Sequence, residues 1–234
     1  MLPFQYHPDI FPRFPNLVGG VMLAENFKNG TTPPALQQEY LDEQRRVRER
    51  IGDTPLSELP TLAAWRRAFS AFGVEPTKYR SAAEALLRRL TKKGDIPGIN
   101  AVVDIYNLIS IRYALPASAF DLRHMQGVIT VRFAVGDERF TPLGEAFVEH
   151  PEPGEVIFSD DTGMVLTRRW CWRQSQESAA LDDSRQLLFV IEAQHAGAEA
   201  GVTSALGELQ DLLSTYVGGQ FTACLITAAG IRSA

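Results

Sequence analysis

Cysteine and histidine, the residues that most often bind metals or carry redox chemistry, are scarce in this sequence. Its 234 residues include two cysteines, Cys171 and Cys224, and four histidines. The histidines are far apart and show no HxxxH or HExxH spacing, so the sequence predicts neither a metal site nor a cofactor. Two cysteines suit a reducing compartment, and we expect both to pack as free thiols.

Long apolar runs are also absent. No stretch contains the roughly 18 consecutive apolar residues that indicate a membrane-spanning helix, and the amino terminus lacks the charged and apolar regions of a secretory signal. We therefore expect a cytoplasmic protein without a membrane partner. Because 45% of the residues are hydrophobic, the chain can form a substantial globular core.

Charge is distributed unevenly along the chain, whose formal net charge is -5. Residues 41–93 contain 12 Lys and Arg against 7 Asp and Glu, whereas the remaining residues contain 11 against 21. Such a basic segment could bind the phosphates of a nucleic acid beside an acidic body. Solvated arginines on exposed helix faces would give the same pattern. The candidate RNA-binding residues are Arg45, Arg46, Arg48, Arg88, Arg89, Lys92 and Lys93.

Helical and strand-like patterns occupy different parts of the sequence. Apolar spacing predicts an early strand at residues 17–27 and helices at about residues 32–52, 59–74, 78–94, 99–113 and 200–219. In the third helix Ser81 and Glu84 have capping-box spacing, and Gly94 follows its end. From residue 127 onward, short apolar runs predict strands. This grouping indicates an α+β fold with layered antiparallel or mixed sheets rather than a doubly wound array.

The segment RRWCWRQS places two tryptophans, Trp170 and Trp172, one residue apart between arginines. On a strand, alternation would put both rings and Gln174 on one face. Arg169 and Arg173 would then project from the opposite face. The rings either pack a core or pocket wall or stack on a ligand, and the arginines either bind a carboxylate or phosphate or form buried salt bridges.

The most specific pattern covers residues 97–144. Its elements, in order, are P-x-I-N from Pro97, V-V-D followed by Asn107, L-P from Leu115, A-F-D-L from Ala119, Val131-Arg132 and G-D-E-x-F from Gly136. In order and spacing they resemble the editing domain of the phenylalanyl-tRNA synthetase beta subunit, domains B-three and B-four, which also occurs as free-standing proteins. The resemblance extends over about residues 76–196. It implies an editing-like, tRNA-binding domain at residues 76–234, on which an extension of residues 1–75 packs.

The resemblance also implies a chemistry. The family domain hydrolyses tyrosine that is wrongly esterified to the phenylalanine tRNA. An aminoacyl ester is already activated, so a pocket can hydrolyse it by holding a water near the carbonyl and donating hydrogen bonds to the developing oxyanion. A pocket that bonds a phenol hydroxyl can reject phenylalanine, because rejection leaves a buried polar group unpaired.

Residue by residue, the resemblance assigns roles to three positions. Glu192 corresponds to the glutamate that reads the tyrosine hydroxyl, Asn107 to a polar pocket residue near substrate and water, and Pro116 to the pocket wall. The alternatives are a carboxylate near a strand end for Glu192 and a structural hydrogen bond to backbone for Asn107.

Two positions depart from the family pattern. The synthetase motif has Thr before the Asn and His within P-L-H-A-F-D, where this chain has Tyr106 and Ser118. Loss of the histidine could remove a water-orienting group, alter which amino acid fits, or mark a protein that binds without catalysis. The bulky segment that replaces a glycine-rich family segment beside the pocket adds the candidate substrate contacts Trp170, Trp172, Arg173 and Gln174.

These features predict a protein that recognises an aminoacyl-tRNA end, with tRNA or aminoacyl-tRNA as its partner. As an ester hydrolase it could remove a misacylated, tyrosyl-type amino acid in trans, with Asn107 and Ser118 positioning the water and the ester. The alternative is a non-catalytic module for a free aromatic amino acid or related carboxylate. The missing histidine and the acidic net charge favour that alternative, and no oligomeric state is indicated.

Overall fold

The structure is a computed structural model that describes residues 2–233, in which two five-stranded sheets pack with six α-helices. The helices are α1 (Ile10–Arg13), α2 (Pro34–Ile51), α3 (Pro60–Ala71), α4 (Ala82–Lys93), α5 (Ala101–Tyr113) and α6 (Glu199–Tyr216). The strands are β1 (Phe4–Tyr6), β2 (Val18–Glu25), β3 (Ala117–Asp121), β4 (Ile129–Phe133), β5 (Val156–Ser159), β6 (Val165–Arg168), β7 (Arg173–Gln174), β8 (Gln186–Ala193), β9 (Gln220–Thr227) and β10 (Gly230–Ser233). The predicted α+β class with layered mixed sheets is confirmed.

The two sheets differ in their neighbours. The first sheet has the strand order β1-β4-β5-β6-β7, and the second has the order β10-β9-β2-β8-β3. All strand pairs are antiparallel except β1 with β4. One core lies between the second sheet and helices α2, α4, α5 and α6, and another lies between the two sheets and α3. The second sheet is therefore buried on both faces, which explains the continuous apolar run in β8.

Segments from the first 75 residues enter both sheets. Strand β2 lies in the middle of the second sheet, paired on one side with β8 and on the other with β9. Strand β1 forms one edge of the first sheet. The strand predicted at residues 17–27 is confirmed as β2, and it is a structural centre of the fold.

Helix α4 begins and ends as its sequence signals predict. The Ser81 side chain accepts a hydrogen bond from the Glu84 N–H at 3.3 Å, and Gly94 ends the helix with a left-handed φ of 90°. Its buried face carries Ala83, Glu84, Leu87 and Leu90. The basic residues Arg88, Lys92 and Lys93 are exposed on the opposite face.

The strand expected through RRWCWRQS is wrong. Strand β6 ends at Arg168 and β7 begins at Arg173, and the connecting turn has positive φ angles of 46° at Arg169 and 64° at Trp170. The turn breaks the alternation that would put both tryptophans on one face. Trp170 is fully buried between the sheets, whereas Trp172 is only half-buried.

Within residues 2–233, none of the helices combines the length and the apolarity needed to cross a bilayer.

Replacing Gly19 with alanine should destabilise the fold. Gly19 pairs with Glu192 across β2 and β8, and a Cβ at position 19 would lie 2.2 Å from the Tyr6 hydroxyl oxygen, which donates to Glu192. The Tyr6 ring would have to move, and its buried hydrogen bond would break. We expect the free energy of unfolding, measured by denaturant titration, to fall by about 1–3 kcal/mol.

Gly207→Ala provides the matched control, because Gly207 is exposed in α6 and a Cβ there meets nothing within 4 Å. This control should be stabilising by up to about 1 kcal/mol, since alanine favours helix over glycine. In a Tyr6→Phe background, Gly19→Ala should cost less than in the wild type. Equal costs in the two backgrounds would contradict the steric role of the hydroxyl.

Candidate functional site

A cavity of about 240 Å³ lies at the edge of the second sheet, between β3, helices α4 and α5 and the β6–β7 hairpin. The predicted site residues that line it are Tyr106, Asn107, Ser118, Trp172, Arg173 and Gln174. Thr167, Cys171 and small apolar residues of α4 complete its wall. The fold thus brings together side chains from four elements that are separated by up to 92 positions in the sequence.

Three polar side chains, those of Tyr106, Asn107 and Ser118, line this cavity. The Tyr40 hydroxyl lies beside the Asn107 side chain. Asn107 is only 8% exposed. Because buried polar side chains are usually hydrogen-bonded, a cavity with this lining suits a polar ligand or water.

The ionisation states of the cavity residues favour hydrogen bonding over nucleophilic attack. Burial and the neighbouring Asp104 raise the pKa of Tyr106 to about 12, so its phenol stays protonated and can donate at neutral pH. Burial raises the pKa of Cys171 well above its ordinary value, and the nearby Glu192 acts in the same direction. The thiol is therefore held neutral and is a poor nucleophile.

Backbone groups of the edge strand β3 also point toward the cavity. The Glu192 N–H donates to the Pro116 carbonyl at 3.2 Å, which places Pro116 in a hydrogen-bonded pair of the antiparallel ladder. Alternate residues, including Ala117 and Ala119, therefore direct their N–H and C=O groups away from β8. The Ala119 carbonyl accepts from the Gln174 side chain at 2.9 Å, and Ala117 lines the cavity.

No carboxylate and no histidine is among the residues that line the cavity, all of which lie in the described part of the chain. Arg173 is the one charged side chain in the lining, and its guanidinium lies 4.0 Å from Glu145. Residues 2–233 contain no group of three or more His, Cys, Asp or Glu placed to hold a metal ion. The arrangement offers hydrogen-bond donors and one cation to a ligand.

The structure places Glu192 outside this lining. Its carboxylate is 3% exposed and accepts hydrogen bonds from the Tyr6 hydroxyl at 2.8 Å and from the Trp170 indole N–H at 3.0 Å. Burial raises the pKa of Glu192 to about 7, and the bonds from Trp170 and Tyr6 oppose that rise. The Glu192 carboxylate is therefore enclosed by groups of the protein in this structure.

Two other predicted contacts lie away from the cavity lining. Trp170 is 0% exposed and makes edge-to-face contacts with Trp65 and Phe14, at ring-centroid distances of 5.3 and 4.7 Å. Its burial leaves no ring surface for a ligand, so the core-packing alternative describes this residue. Pro116 is buried, and its carbonyl bonds to the backbone of Glu192.

Around the cavity mouth, arginine and aromatic side chains stack. The Arg169 guanidinium lies 3.9 Å from the ring centroid of Tyr79 and 4.7 Å from that of Trp172. The two rings meet edge-to-face at 4.8 Å. Arg169 also lies 3.0 Å from Glu155, so a salt bridge and two rings hold this side chain.

A basic groove adjoins the cavity. Its charged lining consists of Lys78, Arg80, Arg88, Arg89, Lys92 and Lys93, and it shares Ala85 and Trp172 with the cavity. A second depression, which contains Arg66, shares Arg80, Arg88 and Lys92 with the groove. A third contains Arg45 and Arg48. Arg46 lies outside all three and pairs with Glu43 at 3.6 Å.

Sequence reasoning missed several lining residues. Lys78 and Arg80 precede α4, and Arg66 belongs to α3, and none of the three was among the predicted RNA-binding residues. Their position in the basic stretch of residues 41–93 was the available signal. Thr167 and Cys171 carried no signal, because the turn after β6 was not expected.

Comparison with known proteins relates the chain to one family. A family model described as "B3/4 domain" matches residues 64–211. The phenylalanine–tRNA ligase beta subunit of Chromobacterium violaceum is 38% identical over 77 residues, which cover 33% of this chain and 10% of that protein. That of Shewanella oneidensis is 29% identical over 93 residues, which cover 40% of this chain and 12% of that protein. The matches thus span about a tenth of the length of these relatives.

Among solved structures, an N-terminal fragment of the phenylalanyl-tRNA synthetase beta subunit from Pyrococcus horikoshii has a similar fold. The two superpose with a TM-score of 0.50 and 10% sequence identity, over 98% of this chain and 53% of that fragment. At this identity the likeness concerns the fold alone.

The ionisation of Glu192 should make stability depend on pH. A carboxyl group whose pKa rises from 4.5 in the unfolded chain to about 7 in the folded protein favours folding only while it is protonated. The free energy of unfolding should therefore fall as the pH rises from about 4.5 to about 7, by up to about 3 kcal/mol. Glu192→Gln should remove this pH dependence. The stability of the variant relative to wild type should therefore increase as the pH rises through that interval.

Urea titrations at several pH values provide the measurement. Glu152→Gln serves as the control, because Glu152 is an exposed carboxylate and its replacement should leave the pH profile unchanged. A constant difference in stability between wild type and Glu192→Gln from pH 4 to pH 8 would contradict a titration of Glu192 in this range.

Proposed function

We propose, on the premise that this chain belongs to the B3/4 domain family, that it binds the end of an aminoacyl-tRNA and hydrolyses a misacylated ester in its cavity. The match to residues 64–211 shows that the chain belongs to this family, and it confirms the resemblance found in the sequence. Since the synthetase relatives are about ten times longer than the matched segment, binding of tRNA and editing in trans are extended to this chain as a proposal.

The observation that carries the proposal is the junction of the cavity with the basic groove. Trp172 and Ala85 line both, so a chain of phosphates in the groove would end at the cavity mouth. The groove supplies cations for the phosphates, and the cavity supplies hydrogen-bonding side chains for the terminal group. A ligand with a polyanionic part and a small polar end fits both surfaces at once.

The proposed hydrolysis relies on positioning. Water attacks the ester carbonyl, the acyl–oxygen bond to the ribose breaks, and the proton lost by the water passes to the ribose oxygen, which releases tRNA and a free amino acid. Asn107 and Ser118 would hold the water, and the Ala117 N–H would donate to the oxyanion. Because an aminoacyl ester is activated, a cavity without a catalytic carboxylate or histidine suits this reaction.

A second candidate function is favoured by the same lack of an acid or base in the cavity lining. A non-catalytic module would bind a free aromatic amino acid or related carboxylate. Arg173, which is 37% exposed in its side chain, would pair with the carboxylate. This candidate makes no use of the basic groove, which distinguishes it from the first.

Deacylation of a panel of misacylated tRNAs tests the proposed reaction. We expect at least one ester to be hydrolysed faster than in buffer, and Asn107→Ala and Ser118→Ala to slow that hydrolysis by about 10²-fold, because each removes a group that positions the reactants. Ser204→Ala is the matched control, since Ser204 is exposed on α6, away from the cavity.

If no ester is hydrolysed above the rate in buffer, the catalytic proposal is wrong. Calorimetric titration with free amino acids then tests the binding module, and Arg173→Ala should abolish the binding of a carboxylate ligand. If the protein binds tRNA but hydrolyses no ester, only the part of the proposal that concerns recognition of the tRNA end stands.

Removal of cations from the groove should weaken tRNA binding and flatten its salt dependence. The triple variant Arg88→Ala/Lys92→Ala/Lys93→Ala removes three exposed cations of α4. For every phosphate that is no longer neutralised, the slope of log affinity against log salt should decrease by about 0.7 to 0.9. We expect the magnitude of this slope to fall by about 2 in total, measured by fluorescence anisotropy of labelled tRNA over a salt series.

The triple variant Lys28→Ala/Arg139→Ala/Arg185→Ala is the control for net charge. These three residues are also exposed, and none of them lines the groove or its adjoining depressions. The control should retain most of the wild-type affinity. An equal decrease in affinity in the two triple variants would show that net charge, and not the groove, attracts the RNA.

A further inference from the structure

We propose that Trp172 is a stacking surface for an unpaired base at the end of the bound RNA. This inference rests on the proposed function, since it names the part of the RNA that the junction recognises. It requires a ring that is partly exposed, held at the meeting point of groove and cavity, and near cations. The structure meets each of these requirements with residues of the β6–β7 turn and of the segment before α4.

Trp172 is the aromatic residue at the junction. Its side chain is half-buried, and it lines both the cavity and the basic groove. The other two tryptophans, Trp65 and Trp170, are 1% and 0% exposed. Trp172 therefore differs from both in offering ring surface to a ligand.

The turn before Trp172 holds the ring in this place. Arg169 and Trp170 have consecutive left-handed φ angles, which cost roughly 1–2 kcal/mol for each L-residue. Packing offsets that cost, because Trp170 is anchored in the core and the Cys171 carbonyl accepts from the Ala82 N–H at 2.8 Å. Burial of Trp170 thus directs the chain so that Trp172 emerges at the cavity mouth.

The surroundings of the ring are cationic. Arg169 lies over Trp172 at 4.7 Å from the ring centroid, and Arg173 lies at 6.0 Å. All six charged residues of the groove lining are basic. An aromatic plane beside a basic groove is the combination with which proteins bind single-stranded nucleic acids.

The geometry favours an unpaired RNA end over two other polyanions. A duplex would engage the groove by its phosphates alone and would leave the ring unused. An acidic peptide would also pair with the cations, but its aliphatic carboxylates have no flat face to stack on the indole. The adjoining cavity, at about 240 Å³, is below the roughly 300–1,000 Å³ of pockets for drug-sized ligands and suits one small terminal group.

Binding of the single-stranded RNA 5′-ACCA-3′ tests the inference directly. We expect the RNA to quench the tryptophan fluorescence, since Trp172 is the accessible one of the three tryptophans. Trp172→Ala should weaken binding about 10-fold, as is typical when one stacked base is released, while the salt dependence stays as in wild type. Trp172→Phe, which keeps a ring, should retain most of the affinity.

Matched ligands and a matched variant complete the experiment. An abasic RNA of the same length has the same phosphates without bases, and its affinity should be equal for wild type and Trp172→Ala. A poly-glutamate peptide serves as the acidic-peptide probe, and it should bind more weakly than the RNA and cause no quenching. Leu181→Ala removes an apolar side chain that is 46% exposed elsewhere and should change nothing.

The outcomes separate this inference from the proposed function. If wild type binds the RNA and Trp172→Ala binds it equally well, the stacking role is wrong while recognition of tRNA stands. Equal weakening of RNA, abasic RNA and peptide by Trp172→Ala would also overturn stacking. If wild type binds neither tRNA nor the RNA probe, both proposals fail. Thermal unfolding of each variant verifies that the fold is intact.

Discussion

One buried carboxylate holds together the parts of the molecule on which the site depends. Glu192 belongs to β8 in the second sheet, and it accepts hydrogen bonds from Tyr6 in the first sheet and from Trp170 in the turn that follows β6. Burial of an unpaired carboxylate would be strongly unfavourable, so both donors are needed where they are. The same contacts fix the orientation of Trp170, and thereby the course of the chain to Trp172 and the cavity.

The family resemblance assigned Glu192 and Asn107 to one substrate pocket, but only Asn107 lines the cavity in this structure. Glu192 is used inside the fold, where Tyr6 supplies the phenol hydroxyl that it accepts from. The cavity at the edge of the sheet contains donors and no acid. Tyr106, Asn107 and Ser118 line that cavity, and the turn between β6 and β7 forms one of its walls.

Local signals predicted much of the fold and less of the site. Helix α4 was predictable because Ser81, Glu84 and Gly94 act within one turn of its ends. The turn at Arg169 and Trp170 was not, because two left-handed L-residues contradict local preference and are held by distant packing. Likewise, Tyr6 and Glu192 are 186 positions apart, and no local sequence pattern predicts the hydrogen bond between them. The cavity lining was predicted where a motif supplied it and missed where tertiary packing did.

The central position of β2 has a consequence for the order in which the protein can fold. Its partners β8 and β9 follow it by some 160 to 200 residues in the sequence. During synthesis, both edges of β2 therefore stay unpaired until β8 and β9 have been made. Closure of such distant pairs costs loop entropy before any contact compensates, which makes folding slow. The unpaired edges of β2 are thus exposed in the nascent chain, and exposed strand edges favour aggregation.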